Sequence, residues 1–186
     1  MTRVVFATGN AHKVAEVTEI LGPGWEVDSI DPDVDETGTT FEENALLKAR
    51  AVLERTGSPA IADDSGIEID ALHGRPGIHS ARWTEESDWI PRVLRELDGV
   101  VGRARSGRYV AAAVAVWPDD RDPIVVRGSV EGVIAGEPRG SGGFGYDPIF
   151  VPDEGDGRTF GEMTAAEKHA ISHRGRAFSG LRDLLA

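Results

Sequence analysis

The sequence predicts an α/β protein, and three observations carry that prediction. Val4, Val5 and Phe6 form an apolar run that ends at Thr8-Gly9-Asn10, a turn. Val14, Val17, Ile20 and Leu21 then recur at helical spacing. Trp25 to Ile30 follows the stop signal Gly22-Pro23-Gly24 and reads as another strand. Strand, turn, helix and strand in that order open an α/β fold.

The first strand is predicted over 3–7, the first helix over about 11–21, and the second strand over 25–30. Residues 31–39 are acidic and loop-like. Thr40-Phe41-Glu42-Glu43 reads as a capping box that starts a second helix. Ala45, Leu46, Ala49, Val52 and Leu53 give it an apolar face, and Gly57-Ser58-Pro59 ends it. Ala60-Ile61-Ala62 is predicted as a short buried strand and 67–69 as another, joined by Asp63-Asp64-Ser65-Gly66. A loop at 74–77 holds Arg75 and Pro76, and a helix is expected over 85–97. Segments 109–116 and 124–134 are β-rich and are expected to pair as antiparallel strands. Residues 136–145 form a flexible, glycine-rich stretch. Thr164-Ala165-Ala166-Glu167 is another capping box, and Ser172 is expected to cap a last helix ending at Leu185.

The chain's 186 residues and 40% hydrophobic content suit one large domain or two small lobes around a shared core. No stretch approaches the ~20 apolar residues that span a bilayer. Met1-Thr2-Arg3 leads straight into an apolar segment, so no secretory leader is expected. The absence of cysteine excludes disulfides and thiolate metal sites, and it agrees with a reducing cytoplasm. A net charge of -12 repels nucleic acid and anionic lipid, so neither is expected as a partner. A phosphate-binding protein of this charge must concentrate its cations locally. Of the 20 basic residues only Lys13, Lys48 and Lys168 are lysines, and all three fall inside the segments described next. A composition bias toward Arg, leaving scattered lysines behind, is the alternative.

Thr8-Gly9-Asn10-Ala11-His12-Lys13 passes from strand to helix start. Helix N-termini offer N–H groups and the positive dipole end to phosphate. Gly9 permits close backbone approach, and Lys13 adds a point charge. The segment lacks Walker A spacing and the glycines of a dinucleotide fingerprint. A plain turn with Asn10 as N-cap accounts for it equally well. In the acidic loop, Glu36 is free to serve as a magnesium ligand; Glu43 is a second candidate with a competing role in the capping box. Lys48 lies on the same helix, where a solvated surface position is the other reading. Asp63 and Asp64 are adjacent carboxylates at a buried strand's end, costly unless neutralised. Adjacent side chains of a strand point to opposite faces, so one Asp is expected to face a ligand and the other to brace the turn. An ordinary Asp-Asp-Ser-Gly turn is the alternative. Phe144 and Tyr146, set among Gly142, Gly143 and Gly145, suit a platform for a flat ring; base–aromatic stacking is worth roughly 1–3 kcal/mol. They equally suit a loop covering the core. Lys168, His169, His173 and Arg174 cluster around a helix start, a place for a nucleobase carbonyl or a phosphate, or for ordinary capping.

Taken together, Ala7-Thr8-Gly9-Asn10 with Lys13, Thr40 to Ala45, Asp63-Asp64-Ser65-Gly66, Gly142 to Pro148 and Ser172-His173-Arg174 resemble the inosine-triphosphate pyrophosphatase family. The resemblance runs from Val4 to Leu184. It implies one domain over 1–186, a mixed β-sheet flanked by helices in two lobes with a central substrate cleft, and a homodimer. It also implies a magnesium-dependent, cytoplasmic enzyme that cleaves ITP, dITP and XTP between the α- and β-phosphates. By residue, the resemblance implies that Thr8, Gly9, Asn10, Ala11, His12 and Lys13 bind phosphate. Asp64 becomes the proton acceptor and a metal ligand, with Glu36 as the second metal position. Lys48, Ser65, Phe144, Gly145, Tyr146, Asp147, Lys168, His173 and Arg174 become substrate-binding positions. Donors around Ser172-His173-Arg174 are expected to read the carbonyl at purine position 6, where adenine carries an amino group. A site built on such a bond rejects the mismatched analogue by roughly 10⁴-fold. The rival readings are a pyrophosphatase for other modified nucleotides, a non-catalytic nucleotide sensor and an acidic interaction module. The paired carboxylates weigh against the sensor, because holding a polyanion does not call for them.

Overall fold

A computed structural model of the chain describes residues 2–119 and 121–185, with the backbone alone for Glu86. Strand β1 (Thr2–Ala7) leads into helix α1 (Ala11–Leu21), and β2 (Trp25–Ile30) follows. Helix α2 is Phe41–Thr56 and β3 is Ala60–Ile69. Helix α3 (Trp89–Glu96) precedes β4 (Ser106–Val116) and β5 (Ile124–Ile134). A short β6 (Phe150–Pro152), α4 (Ala165–Ile171) and α5 (His173–Leu185) complete the chain. The six strands form one sheet in the order β2-β1-β3-β4-β5-β6. β1 pairs in parallel with β2 and β3, whereas β5 and β6 are antiparallel, so the sheet is mixed. The segments expected to pair, 109–116 and 124–134, are neighbours in it as β4 and β5.

Chain contacts define two compact units. The first comprises Met1–Asp64, Ala111–Gly128 and His173–Ala186. Its core gathers Phe6, Val17, Leu21, Ile61, Ala113, Phe178 and Leu181. Phe6 and Phe178 meet edge to face at 5.7 Å, and this joins β1 to α5. The second comprises Ser65–Val110 and Ser129–Ser172, around Ile67, Leu97, Tyr109, Ile134, Phe150 and Phe160. Tyr109 lies edge-on to Phe150 at 4.8 Å.

Capping chemistry sets the helix boundaries. The Asn10 side chain accepts from the amides of His12 and Lys13, starting α1 as the N-cap reading foresaw. Thr164 and Glu167 form the reciprocal capping box at α4. The box expected at α2 is only half formed. Thr40 Oγ1 accepts from the Glu43 amide at 3.1 Å, but the Glu43 carboxylate reaches one residue further back, to the Thr39 amide at 2.6 Å and hydroxyl at 2.9 Å.

The larger departure lies in β3. The two short strands separated by a turn are one ten-residue strand, and Asp63-Asp64-Ser65-Gly66 lies within it. Turn composition marks residues that can bond their own backbone. Here the carboxylates are held instead by cations from distant elements, so the chain stays extended.

Candidate functional site: paired carboxylates on the central strand

Asp63 and Asp64 are 1% and 6% exposed. Because neighbours on a strand point to opposite faces, the pair engages two separate sets of partners. Asp63 turns to α1 and α5: Lys13 Nζ donates to Oδ1 at 3.0 Å, and Arg174 Nε and Nη2 donate to Oδ2 at 3.3 and 3.1 Å. Arg174 Nη1 also donates to Glu16 Oε2 at 2.5 Å. Burial by itself would push the Asp63 carboxyl up, but Lys13 and Arg174 outweigh it and hold the group well below the usual carboxylate range. Burial likewise opposes the charge on Arg174, yet Asp63 and Glu16 prevail and raise its pKa further. Lys13 goes the other way: desolvation lowers its pKa despite Asp63. Asp63 therefore faces two cations and braces no turn.

Asp64 turns to α2. Lys48 Nζ donates to Asp64 Oδ1 at 2.9 Å and to Glu36 Oε1 at 2.9 Å, and Asn44 Nδ2 donates to Asp64 Oδ2 at 3.2 Å. Burial raises the Asp64 carboxyl in spite of Lys48. Lys48 is not a solvated surface lysine: its side chain is 9% exposed, and its pKa stays raised because Asp64, Asp63 and Glu36 outweigh burial. One ammonium thus brings Glu36 and Asp64 to a common point. Beside it lies a recess of about 550 Å³ lined by Asp31, Asp33, Asp35, Glu36 and Lys48.

This donor set fits a hard divalent cation. Two carboxylates converge on one positive centre beside an acidic recess, and magnesium takes one or two carboxylates and keeps water or phosphate oxygens for the rest. Among the described residues no cluster of three His, Cys, Asp or Glu side chains could hold a metal ion. Glu43, committed to Thr39, is not part of this group.

In the segment 8–13, Thr8 Oγ1 accepts from the Asn10 amide at 3.1 Å. The Asn10 cap takes the amides of His12 and Lys13, two of the donors that a helix start offers to phosphate. A side chain at Gly9 would meet the Asp31 carboxylate at 2.6 Å, so here the close approach is made by Asp31. Ala11 and His12 are exposed.

The remaining candidates centre on Asp147, in the second unit. Its Oδ2 accepts from Lys168 Nζ and from the Phe144 amide, each at 2.8 Å. The Asp147 and Lys168 side chains are 2% and 4% exposed. Lys168 Nζ stands 4.9 Å from the Phe144 ring centre, a cation–π contact. Gly143, at φ +67°, leaves room for the Asp147 carboxylate where a side chain would otherwise sit. Tyr146 is 3% exposed; its hydroxyl donates to the Ser80 carbonyl at 2.8 Å and its ring stacks on Trp89 at 5.6 Å. Tyr146 is therefore a core residue, and Phe144, half-buried, is the more open ring. Ser65 is half-buried, and His173 is buried next to Arg174. Sequence reasoning missed Glu16, whose one signal was its place three residues after Lys13 on the same helix face.

A mixed sheet whose strand β3 sets two carboxylates against Lys13, Arg174 and Lys48 defines an α/β enzyme with a charge-paired carboxylate centre. The sequence profile of the Ham1 family matches residues 4–184, and the chain belongs to that family. A dITP/XTP pyrophosphatase of Symbiobacterium thermophilum is 50% identical, over 95% of this chain and 91% of that protein. One from Streptomyces coelicolor is 46% identical, over 97% and 96%. A solved HAM1 protein structure from Coxiella burnetii aligns with a TM-score of 0.85 at 39% identity, covering 100% of this chain and 98% of that one. A nucleoside-triphosphatase / dITP/XTP pyrophosphatase from Mycobacterium abscessus aligns at 0.76 with 41% identity, covering 97% and 98%. Among the described residues no helix is long and apolar enough to cross a membrane.

Proposed function

We propose that this protein is a nucleoside-triphosphate pyrophosphohydrolase that removes dITP, ITP and XTP from the nucleotide pool, releasing the monophosphate and pyrophosphate. The observation that carries the reading is Asp63-Asp64 on β3, with Lys13 and Arg174 against one carboxylate and Lys48, Glu36 and Asn44 against the other. The names of the relatives support it. The same reading takes the enzyme as a cytoplasmic homodimer.

Glu36 and Asp64 are the residues that would hold magnesium, which when bound offsets polyphosphate charge and polarises water. Lys13 and Lys48 supply positive charge to the phosphate chain, and Asp64 accepts the proton of the attacking water. Lys48 keeps Glu36 and Asp64 from repelling one another when no metal is bound. Thr8 to Lys13 supply the phosphate end, with the Asn10 cap fixing the first turn. Ser65, Phe144, Gly145, Tyr146, Asp147, Lys168 and His173 supply the nucleoside end, whereas Arg174, expected there, is taken up by Asp63 and Glu16. Phe144 offers the ring face, and Tyr146 supports that loop from the core.

The deciding experiment is pyrophosphate release from ITP, dITP, XTP, ATP and GTP, with magnesium and with a chelator. Release from the first three, lost on chelation, is the expected result; equal rates on ATP, or release that survives the chelator, would reject the reading. Arg174→Ala is expected to lower kcat/KM for ITP and ATP alike, because Asp63 loses its two-donor partner. A kcat/KM ratio of ITP to ATP that collapses in this variant would return Arg174 to base selection.

A further inference from the structure

Asp63 is absent from the roles assigned above, yet it is the most completely buried carboxylate of the phosphate end, and two cations compete for it. They differ in kind. Arg174 is 2% exposed, grips Asp63 through Nε and Nη2, and is held from behind by Glu16. Lys13 is 17% exposed and makes one bond through a flexible stem from the first turn of α1. A buried carboxylate stripped of every cation is strongly unfavourable, so a residue that leaves Asp63 needs another that stays. A planar guanidinium is suited to stay, and a point-charge ammonium to leave.

We infer that Asp63 is a positioning residue that stores Lys13 and releases it to the phosphate chain, with Arg174 remaining as the counter-ion that makes release possible. The inference rests on the reading of Lys13 as a phosphate ligand. Binding of the polyphosphate draws the ammonium away from Asp63. The carboxylate keeps its two bonds to Arg174, and the energy of leaving it unpaired is avoided. How firmly Arg174 holds Asp63 therefore sets how readily Lys13 moves.

Inorganic tripolyphosphate, which has phosphates and no base, is the probe, and its inhibition constant is the readout. Arg174→Lys keeps the charge and removes the two-donor grip. Asp63 then depends on Lys13, and tripolyphosphate affinity is expected to fall roughly 10-fold, equivalent to about 1.4 kcal/mol. Asp63→Asn removes the competitor for Lys13 while Glu16 still pairs Arg174, so affinity is expected to rise by a few fold even as turnover falls. A purely structural role for Asp63 would not tighten binding. On a Lys13→Ala background neither substitution is expected to move the constant, because the effect runs through that lysine. Constants that do not move in the single variants, or that move equally without Lys13, would overturn the inference. If Arg174→Lys does not fold, the sign of the change in Asp63→Asn decides alone. A Lys13→Ala protein that binds tripolyphosphate as well as the parent would instead reject the phosphate role of Lys13, a separate failure.

Discussion

Asp64→Asn is expected to lower kcat for ITP by about 10²–10⁴-fold, the range that a positioned proton acceptor contributes. The substitution keeps the side chain's size, its place in β3 and a neighbour in Asn44. Lys48 keeps Glu36 as a partner, so the fold is expected to survive. The asparagine has no basic oxygen to take a proton, and it brings no negative charge to a cation shared with Glu36. Initial rates of pyrophosphate release, with the thermal midpoint of the same preparation as the check on folding, measure the effect. Near-normal turnover by a folded Asp64→Asn protein would exclude Asp64 as proton acceptor.

Lys168→Met is expected to show the largest loss of stability. Lys168 and Asp147 form a buried pair, and removing the lysine leaves the Asp147 carboxylate buried without its ammonium partner. Such deletions cost about 3–5 kcal/mol. For a protein of this length that is a fall in thermal midpoint of about 6–20 °C. Asp147 keeps the Phe144 amide as a donor, which points to the lower part of that range. Adding Asp147→Asn to Lys168→Met is expected to restore part of the loss, since the buried negative charge that lost its ammonium is then removed as well. Thermal unfolding of both variants at neutral pH tests this. A single variant as stable as the parent would mean that the pair contributes no net stability.

The helices and most strands were legible because local rules govern them. The apolar spacing of Val14, Val17, Ile20 and Leu21, with Asn10 before it, is enough to place α1. Thr164 and Glu167 mark α4 in the same way. β3 resisted because its decisive partners are remote: Asp63 is separated by 50 residues from Lys13 and by 111 from Arg174. A local reading sees only Asp-Asp-Ser-Gly, which by itself favours a turn. Glu43 was misplaced by one residue for a similar reason, because its carboxylate has two nearby amides to choose between. The short β6 carries too few residues to show a period.

The site followed the same division. Residue types and their order pointed to Lys13, Lys48, Asp64 and Lys168, but gave no account of which carboxylate each lysine would meet. Tyr146 and Phe144 looked equivalent as platforms, yet the Tyr146 hydroxyl needed a buried acceptor and found the Ser80 carbonyl. That bond fixes one ring in the core and leaves the other nearer to solvent.

The lysine inventory has a consequence for chemical labelling. Guanidinium groups carry the positive charge of the outer surface, as in Arg3 with Asp28, Arg95 with Asp88 and Arg121 with Asp119. The three ammonium groups each sit against a partly or fully enclosed carboxylate. Amine-selective acylation therefore finds no side-chain target on the exterior, and Lys13, the least enclosed of the three and made less basic by its own desolvation, becomes the side chain through which such a reagent would report nucleotide occupancy.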